Sequence, residues 1–289
     1  MRLLELLMVG ETTFERYAKQ IAVVMVALLV LLPVYWMVNM SFKGRAEFSA
    51  RPPTLVVAQP TTENYYDLLV TQRFYLKGIN SLVVAILAAT IAVTVGTLAA
   101  YALSRFNLPR NFNYHLLFTM LTVRMFPPIV TVIPLFAFYN REILGYKLFD
   151  TQLGLGLIHG FMELPLVLWM MIGFFRDIPR DMEEAALVDG DSRLAVLRKI
   201  AIPLAAPGLA ATFILVFISS WNEFLLALIL TGSRSQTLPI AVASQIAQYD
   251  VKWGNMMAAG VITTVPVLVL ALLSQRYLTR GLAVGGVTG

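Results

Sequence analysis

Apolar residues along this chain of 289 residues gather into six long runs, at about 20–41, 80–102, 113–139, 152–175, 206–231 and 256–276, with polar stretches between them. A hydrocarbon core of about 30 Å is crossed by about 20 helical residues, so each run predicts a membrane-spanning helix. The runs are continuous rather than alternating, which excludes a membrane β-barrel. The first is too long for the core of a signal peptide, and no small-residue cleavage site follows it before Asn39, Ser41 and Lys43. It is therefore kept as a span, and the N-terminus is expected to remain in the mature protein. The expectation is one all-α membrane domain over residues 1–289.

Within the second run Ala88, Ala92, Gly96 and Ala100 recur every four residues, which aligns four small side chains on one helix face and predicts close packing against another helix. Pro33, Pro127 with Pro128, Pro134, Pro165 and Pro266 interrupt the runs, each removing a backbone donor and inviting a kink. Several bent helices around one axis suit a gated pathway, although proline is also simply commoner in membrane helices. Of the segments on one side, 42–79 carries Pro52, Pro53, Pro60, Glu63 and Asn64 and predicts an ordered loop; 140–151 is short. The third, 232–255, mixes Leu238, Ile240, Ile246 and Tyr249 with polar residues and predicts a short interfacial helix.

The polar stretch at 176–205 stands apart. Pro179, then Asp181 three residues before Glu184, resembles a capping arrangement and predicts a helix from near Met182, stopped by Gly190. Ser192 can cap a second helix on which Leu194, Leu197 and Ile200 or Ala201 share a side, with Arg193, Arg198 and Lys199 elsewhere and Pro203 at its end. A membrane protein that places two short amphipathic helices and a tight bend between two spans has built a docking element for a soluble partner.

Composition agrees with the membrane reading: 58% of residues are hydrophobic and 13% charged, with a mean hydropathy of +0.74. If both termini and the 176–205 loop share one side, that side holds twelve Lys/Arg, namely Arg2, Arg16, Lys19, Arg105, Arg110, Arg176, Arg180, Arg193, Arg198, Lys199, Arg276 and Arg280, against nine opposite. Cytoplasmic termini follow chiefly because a docking loop needs a cytoplasmic partner. The net charge of +5 then reflects membrane orientation, not nucleic acid, for which no basic and aromatic groove pattern exists. Without cysteine there is no disulfide, Cys-ligated zinc or thiol nucleophile.

The 176–205 loop resembles the EAA loop of ABC importer permeases, written Glu-Ala-Ala, three residues, Gly, nine residues, Ile-x-Leu-Pro. Glu184, Ala185, Ala186, Gly190, Ile200 and Pro203 fall at those spacings, between the fourth and fifth runs, with Ile202 where Leu is usual. The segments SFK at 41–43, ENY at 63–65, SRF at 104–106, MFP at 125–127, WNEFLLAL at 221–228 and RGLAVGGVTG at 280–289 resemble the carbohydrate branch of these permeases, of the MalG-like, maltose-transporter type. Relatives there tend to carry a Lys near the position of Thr288. The resemblance implies a type I ABC importer permease (MetI-like) fold of six transmembrane helices in a bacterial or archaeal cytoplasmic membrane. It also implies a second, related permease subunit as heterodimer partner, two copies of an ABC ATPase that bind ATP and Mg, an extracytoplasmic solute-binding protein, and a sugar or sugar derivative as cargo. The first EAA helix would be the coupling helix, with Glu184 offering a carboxylate to a cleft of the ATPase, Ala185 and Ala186 allowing close approach, Asp189 at its end and Gly190 at the bend.

Ionisable groups inside spans cost about 2.5–3.5 kcal/mol each on insertion scales and so demand a partner or a wet cavity. Arg124, His159, Glu163 and Glu223 are such groups. Arg124 lies about 11 residues from the cytoplasmic end of the third run and Glu163 about 12 from that end of the fourth. At about 1.5 Å per residue the two reach a similar depth. They can neutralise each other as a structural ion pair, or Arg124 can face the pathway and hold a sulfonate, phosphate or carboxylate on the cargo. His159 is expected to hydrogen-bond a neighbour. Asn222 and Glu223, after Trp221, serve either as polar contacts between helices or as pathway lining.

No catalytic constellation is legible: His115 and His159 lie far apart, and there is no HExxH, GxSxG or Walker lysine loop. No metal or cofactor is expected in this chain. A self-sufficient secondary transporter is the alternative, but such folds carry inverted repeats and more spans, and no internal repeat is present.

Overall fold

The computed structural model describes residues 13–48, 50, 52, 54–106, 109, 112–142, 145–246 and 252–284. Arg2, Pro53, Arg110, Tyr249 and the end of the chain with Thr288 lie outside them. In chain order the helices are α1 (Thr13–Ser41), α2 (Arg45–Phe48), α3 (Glu63–Tyr66), α4 (Phe74–Arg105), α5 (Phe112–Met125), α6 (Pro128–Tyr139), α7 (Gln152–Arg176), α8 (Arg180–Val188), α9 (Arg193–Val196), α10 (Ala206–Asn222), α11 (Leu225–Leu230), α12 (Leu238–Ala243) and α13 (Trp253–Val284). The protein is all-α in its long elements, as the apolar runs predict.

Four helices, α1, α4, α7 and α13, are long and apolar enough to cross a bilayer unbroken. The other two runs are not straight spans. The third is broken between α5 and α6 by a 92° bend at Phe126 and Pro127, where Pro127 is extended at ψ 123°. Pro128 then begins α6, where its missing N–H costs nothing. The fifth is α10 followed, after a break at Glu223 and Phe224, by α11. Pro33, Pro134, Pro165 and Pro266, by contrast, lie within continuous helices.

The described residues of Met1–Gln72 and Gln245–Ile262 form one compact unit. There the described residues of 42–72 are held by side chains that satisfy their backbone, while 74–79, expected in the same loop, already belong to α4. Asn39 donates to Leu55 O at 2.6 Å and accepts from Val57 N at 3.0 Å, while the buried Lys43 ammonium donates to Thr54 O at 2.6 Å. Asn64 donates to Ser41 O and Lys43 O, both at 2.9 Å, so the SFK and ENY segments are one hydrogen-bonded knot. Asp67 accepts from Asn255 at 2.6 Å and from Gln72 at 3.0 Å. Burial pushes its carboxyl pKa up, but these donors and Lys252 outweigh it and hold it below the ordinary aspartate value.

Arg73–Ser244 and Thr263–Gly289 contribute the second unit, whose centre is α4 against α7. The small-residue stripe does what its spacing predicts: Ala88, Ala92 and Ala100 are fully buried, and a Cβ on Gly96 would lie 2.6 Å from Val167 Cγ1. α7 answers with small residues of its own, since a Cβ on Gly156 would meet Leu87 at 2.8 Å and one on Gly160 would meet Ala88 O at 3.1 Å. Backbones thus approach where lipid gives no hydrophobic drive for helix association, and dispersion contacts hold the pair. Thr151 caps α7 by accepting from Gly154 N at 3.0 Å.

The 232–255 segment departs from the interfacial reading. Leu238 and Ile240 of α12 are buried, and α12 packs on α4, with Leu238 N donating to Ser81 Oγ at 2.8 Å. Asn80 fixes the approach by donating to Arg234 O and Gln236 O at 2.9 Å. Opposite it, Asp150 takes a left-handed φ of 55° and accepts from Gly232 N, Ser235 N and the Ser235 hydroxyl. The apolar side chains of α12 are therefore core, because polar partners on α4 and Asp150 draw the loop inward.

Candidate functional site: the 176–205 loop and the intramembrane charges

α8 begins at Arg180, with Pro179 before it and no side-chain cap, so the Asp181 and Glu184 capping arrangement does not form. Pro179 is extended at ψ 132°, and the chain turns straight into helix after it. The stop at Gly190 is realised in full. Gly190 takes φ +93°, its N–H reaches Leu187 O at 3.2 Å, and Asp191 N reaches back to Ala186 O at 3.0 Å. That pair of bonds is the Schellman motif, in which only a residue without Cβ adopts the left-handed turn cheaply. Ser192 then caps α9 by accepting from Ala195 N at 3.2 Å.

The second helix differs from its predicted phase. A wider, π-helical turn at Leu197–Ala201 follows α9, and the buried residues are Val196, Leu197 and Ala201, while Leu194 is 70% exposed. Pro203 does not end it. It sits in the first turn of a short continuation, Ile202–Leu204, and the chain bends by 75° at Ala205 into α10.

What fixes α8 is a residue the sequence reading passed over. Glu183 is 3% exposed; it accepts from Tyr101 Oη at 2.9 Å and from Arg105 at 2.9 Å through Nε and 2.6 Å through Nη2. Arg105 Nη2 also donates to Ile178 O at 3.2 Å, and Arg180 donates to Ser104 O at 3.3 Å. Arg193 lies over the Phe106 ring, 5.5 Å from its centroid. The SRF segment at the end of α4 is thus the anchor of the loop. The available signal was faint: Glu183 adds a second carboxylate beside Glu184, and Arg105 ends a preceding span at the same membrane face.

With Glu183 inward, α8 presents the other residues outward. Met182, Glu184, Ala185, Asp189 and Gly190 are exposed, Ala186 is half-buried, and Val188 is 87% exposed. A short helix clamped on one side and offering Val188, Met182 and a carboxylate on the other is built for contact.

In the membrane the four ionisable groups fall into two adjacent clusters between α5, α7 and α10. Arg124 Nη1 lies 3.2 Å from Glu163 Oε2, and Ser219 donates to the other carboxylate oxygen of Glu163. Glu163 is 14% exposed and Arg124 42%. One turn away on α7, His159 Nδ1 meets Ser220 Oγ at 2.8 Å and its Nε2 lies 3.2 Å from Glu223 Oε2. Glu223 in turn accepts from Leu226 N at 2.9 Å and Ala227 N at 3.1 Å, capping α11 across the break. Asn222 only bonds back to Ile218 O at 2.9 Å and is exposed. Among the described residues no group of three His, Asp or Glu side chains could hold a metal ion.

Comparison with known proteins adds the following. Residues 92–284 match the family described as "Binding-protein-dependent transport system inner membrane component". The chain is 35% identical over 285 residues to the inner membrane ABC transporter permease protein YcjP of Escherichia coli, covering 97% of this chain and 99% of that one. It is 38% identical over 287 residues to the trehalose/maltose transport system permease protein MalG of Thermococcus litoralis, covering 96% and 99%. Its fold superposes on a chain of a bacterial ABC transporter involved in the import of the acidic polysaccharide alginate with a TM-score of 0.75, at 24% identity, over 92% of this chain and 98% of that one.

Proposed function

The chain belongs to the family of binding-protein-dependent transport system inner membrane components, and on that premise we propose that it is the permease subunit of an ABC importer, forming half of a translocation pathway for a sugar or sugar derivative. The observation that carries the reading is α8, anchored through Glu183 to Arg105 and Tyr101 while Val188 and Glu184 face outward. In this reading α8 is the coupling helix. Its outer face sits in a cleft of an ATPase, and the buried ion pair passes the motion of the ATPase to the end of α4. The 75° bend at Ala205 gives a second rigid lever, into α10.

The family's description supports the solute-binding protein, and the resemblance of the 176–205 loop carries the remaining parts of the reading. The loop and both termini are cytoplasmic, a second related permease subunit completes the pathway, and two copies of an ATPase bind ATP and Mg. An external solute-binding protein delivers the cargo. A sugar cargo follows from the trehalose/maltose relative. The test is purification of the tagged chain in mild detergent beside a Gly190→Pro variant, with identification of the accompanying proteins. An ATPase and a second permease subunit should accompany the wild type, and the ATPase should be lost from the variant, because proline cannot adopt φ +93°. A wild-type chain that emerges alone would favour a self-sufficient transporter.

Arg124 extends the proposal to the cargo. It spends one N–H on Glu163 and is 42% exposed, so further donors of its guanidinium remain to hold an acidic group on a sugar. Arg124→Met should lower uptake of an acidic sugar about tenfold, on the scale of one charge-assisted contact, and leave a neutral one unchanged. Full retention of acidic-sugar uptake would reduce Arg124 and Glu163 to a structural pair.

A further inference from the structure

Where the ends of α4 and α7 meet the start of α5, the structure has a cavity of about 560 Å³ lined in part by Arg105, Arg176, Arg180, Tyr114, Leu103 and Leu117. We infer that this cavity holds the phosphate of an anionic glycerophospholipid, with Arg176 and Arg180 as its principal ligands.

Charge bookkeeping gives the sign. Arg105 is compensated by Glu183, and Arg180 spends one donor on the neutral Ser104 carbonyl. The Arg176 side chain makes no hydrogen bond or ion pair among the described residues. Two guanidinium charges therefore remain, and among the described residues no acidic side chain lines the cavity. Asp177 and Asp181, beside them in sequence, are exposed and are not among its walls.

Position gives the ligand. Arg105 and Arg176 end two membrane-crossing helices, and Asn113, Tyr114 and Leu117 open the helix that begins the third run, so the cavity lies at headgroup depth. A soluble anion would need only the arginines. The apolar wall of Leu103 and Leu117 and the exposed ring of Tyr114 suit a glycerol backbone and the start of an acyl chain. Basic pockets between helices at a membrane surface recognise anionic headgroups in this manner.

The test is native mass spectrometry of the chain purified with whatever partners accompany it, titrated with phosphatidylglycerol or phosphatidylcholine. Wild type should retain phosphatidylglycerol over phosphatidylcholine at the same concentration. Arg176→Gln with Arg180→Gln should cut that retention by about tenfold or more, at about 1 kcal/mol per arginine. Arg176→Gln alone, which breaks no bond within the chain, should give an intermediate loss with an unchanged melting temperature. Arg198→Gln, an exposed charge outside the cavity, should change nothing. Equal retention of the two lipids, equal loss in Arg198→Gln, or displacement of the lipid by millimolar-range glycerol 3-phosphate would each overturn the inference, the last in favour of a soluble anion.

Discussion

Glu183 and Arg105 show how much one pair of side chains can decide. Both are about 5% exposed or less, so neither charge is well hydrated, and each is tolerable only beside the other. Glu183→Ala removes the acceptor of three hydrogen bonds and strands the guanidinium, which should cost about 3–5 kcal/mol. A melt of the purified chain in detergent should register this as a clear fall in midpoint. Arg105→Met with Glu183→Leu should recover most of the loss, because an apolar pair of similar volume leaves no charge unpaired. If the anchor transmits motion, the double variant will be stable yet poorly coupled, since two apolar side chains pack without the fixed geometry of a two-point ion pair. A double variant that couples as wild type does would leave the pair a purely structural role.

At the scale of the element, the packing of α4 on α7 was legible and the breaks were not. Four small residues at four-residue spacing can mean little but a close helix contact, and the structure buries them, with Gly96 against Val167 and Ala88 against Gly160. Gly96→Leu should therefore split the pair: its Cβ alone would meet Val167 at 2.6 Å, and the folded yield should collapse. Gly173→Ala, on the same α7 but facing open space, should be neutral or stabilise by up to about 1 kcal/mol through helix propensity. Equal expression and melting of the two variants would deny the contact. The break at Pro127 was harder to read because Pro33, Pro134, Pro165 and Pro266 share its residue type without breaking their helices. What separates it is Pro128 directly after Pro127: the second ring disfavours helical backbone at the residue before it, and Pro127 is extended at ψ 123°, so the signal lay in the doublet and not in proline as such. Likewise the phase of α9 was missed because the π-helical turn at Leu197–Ala201 adds a residue to the repeat and carries Leu194 outward.

For the whole molecule the informative surface is the part that lipid cannot explain. α1 has none of its most apolar stretch buried, and a bilayer or a neighbouring membrane subunit accounts for that exposure. Val188 and Leu194 are different: at 87% and 70% exposure they project from a polar loop between spans, where only another protein can cover them. Val188→Glu with Leu194→Glu leaves every hydrogen bond of Glu183, Gly190 and Ser192 in place, so the chain itself should fold, insert and melt as wild type does. Assembly should fail instead. Burying two carboxylates in an apolar contact costs several kcal/mol, enough to lower occupancy by an ATPase by about a hundredfold or more. Reconstituted with its partners, the variant should lose the stimulation of ATP hydrolysis by the solute-binding protein while the isolated ATPase keeps its basal rate. Stimulation at the wild-type level would mean that this face of α8 and α9 is not where the motor docks, and the outward residues Glu184, Ala185 and Asp189 would lose their assignment with it.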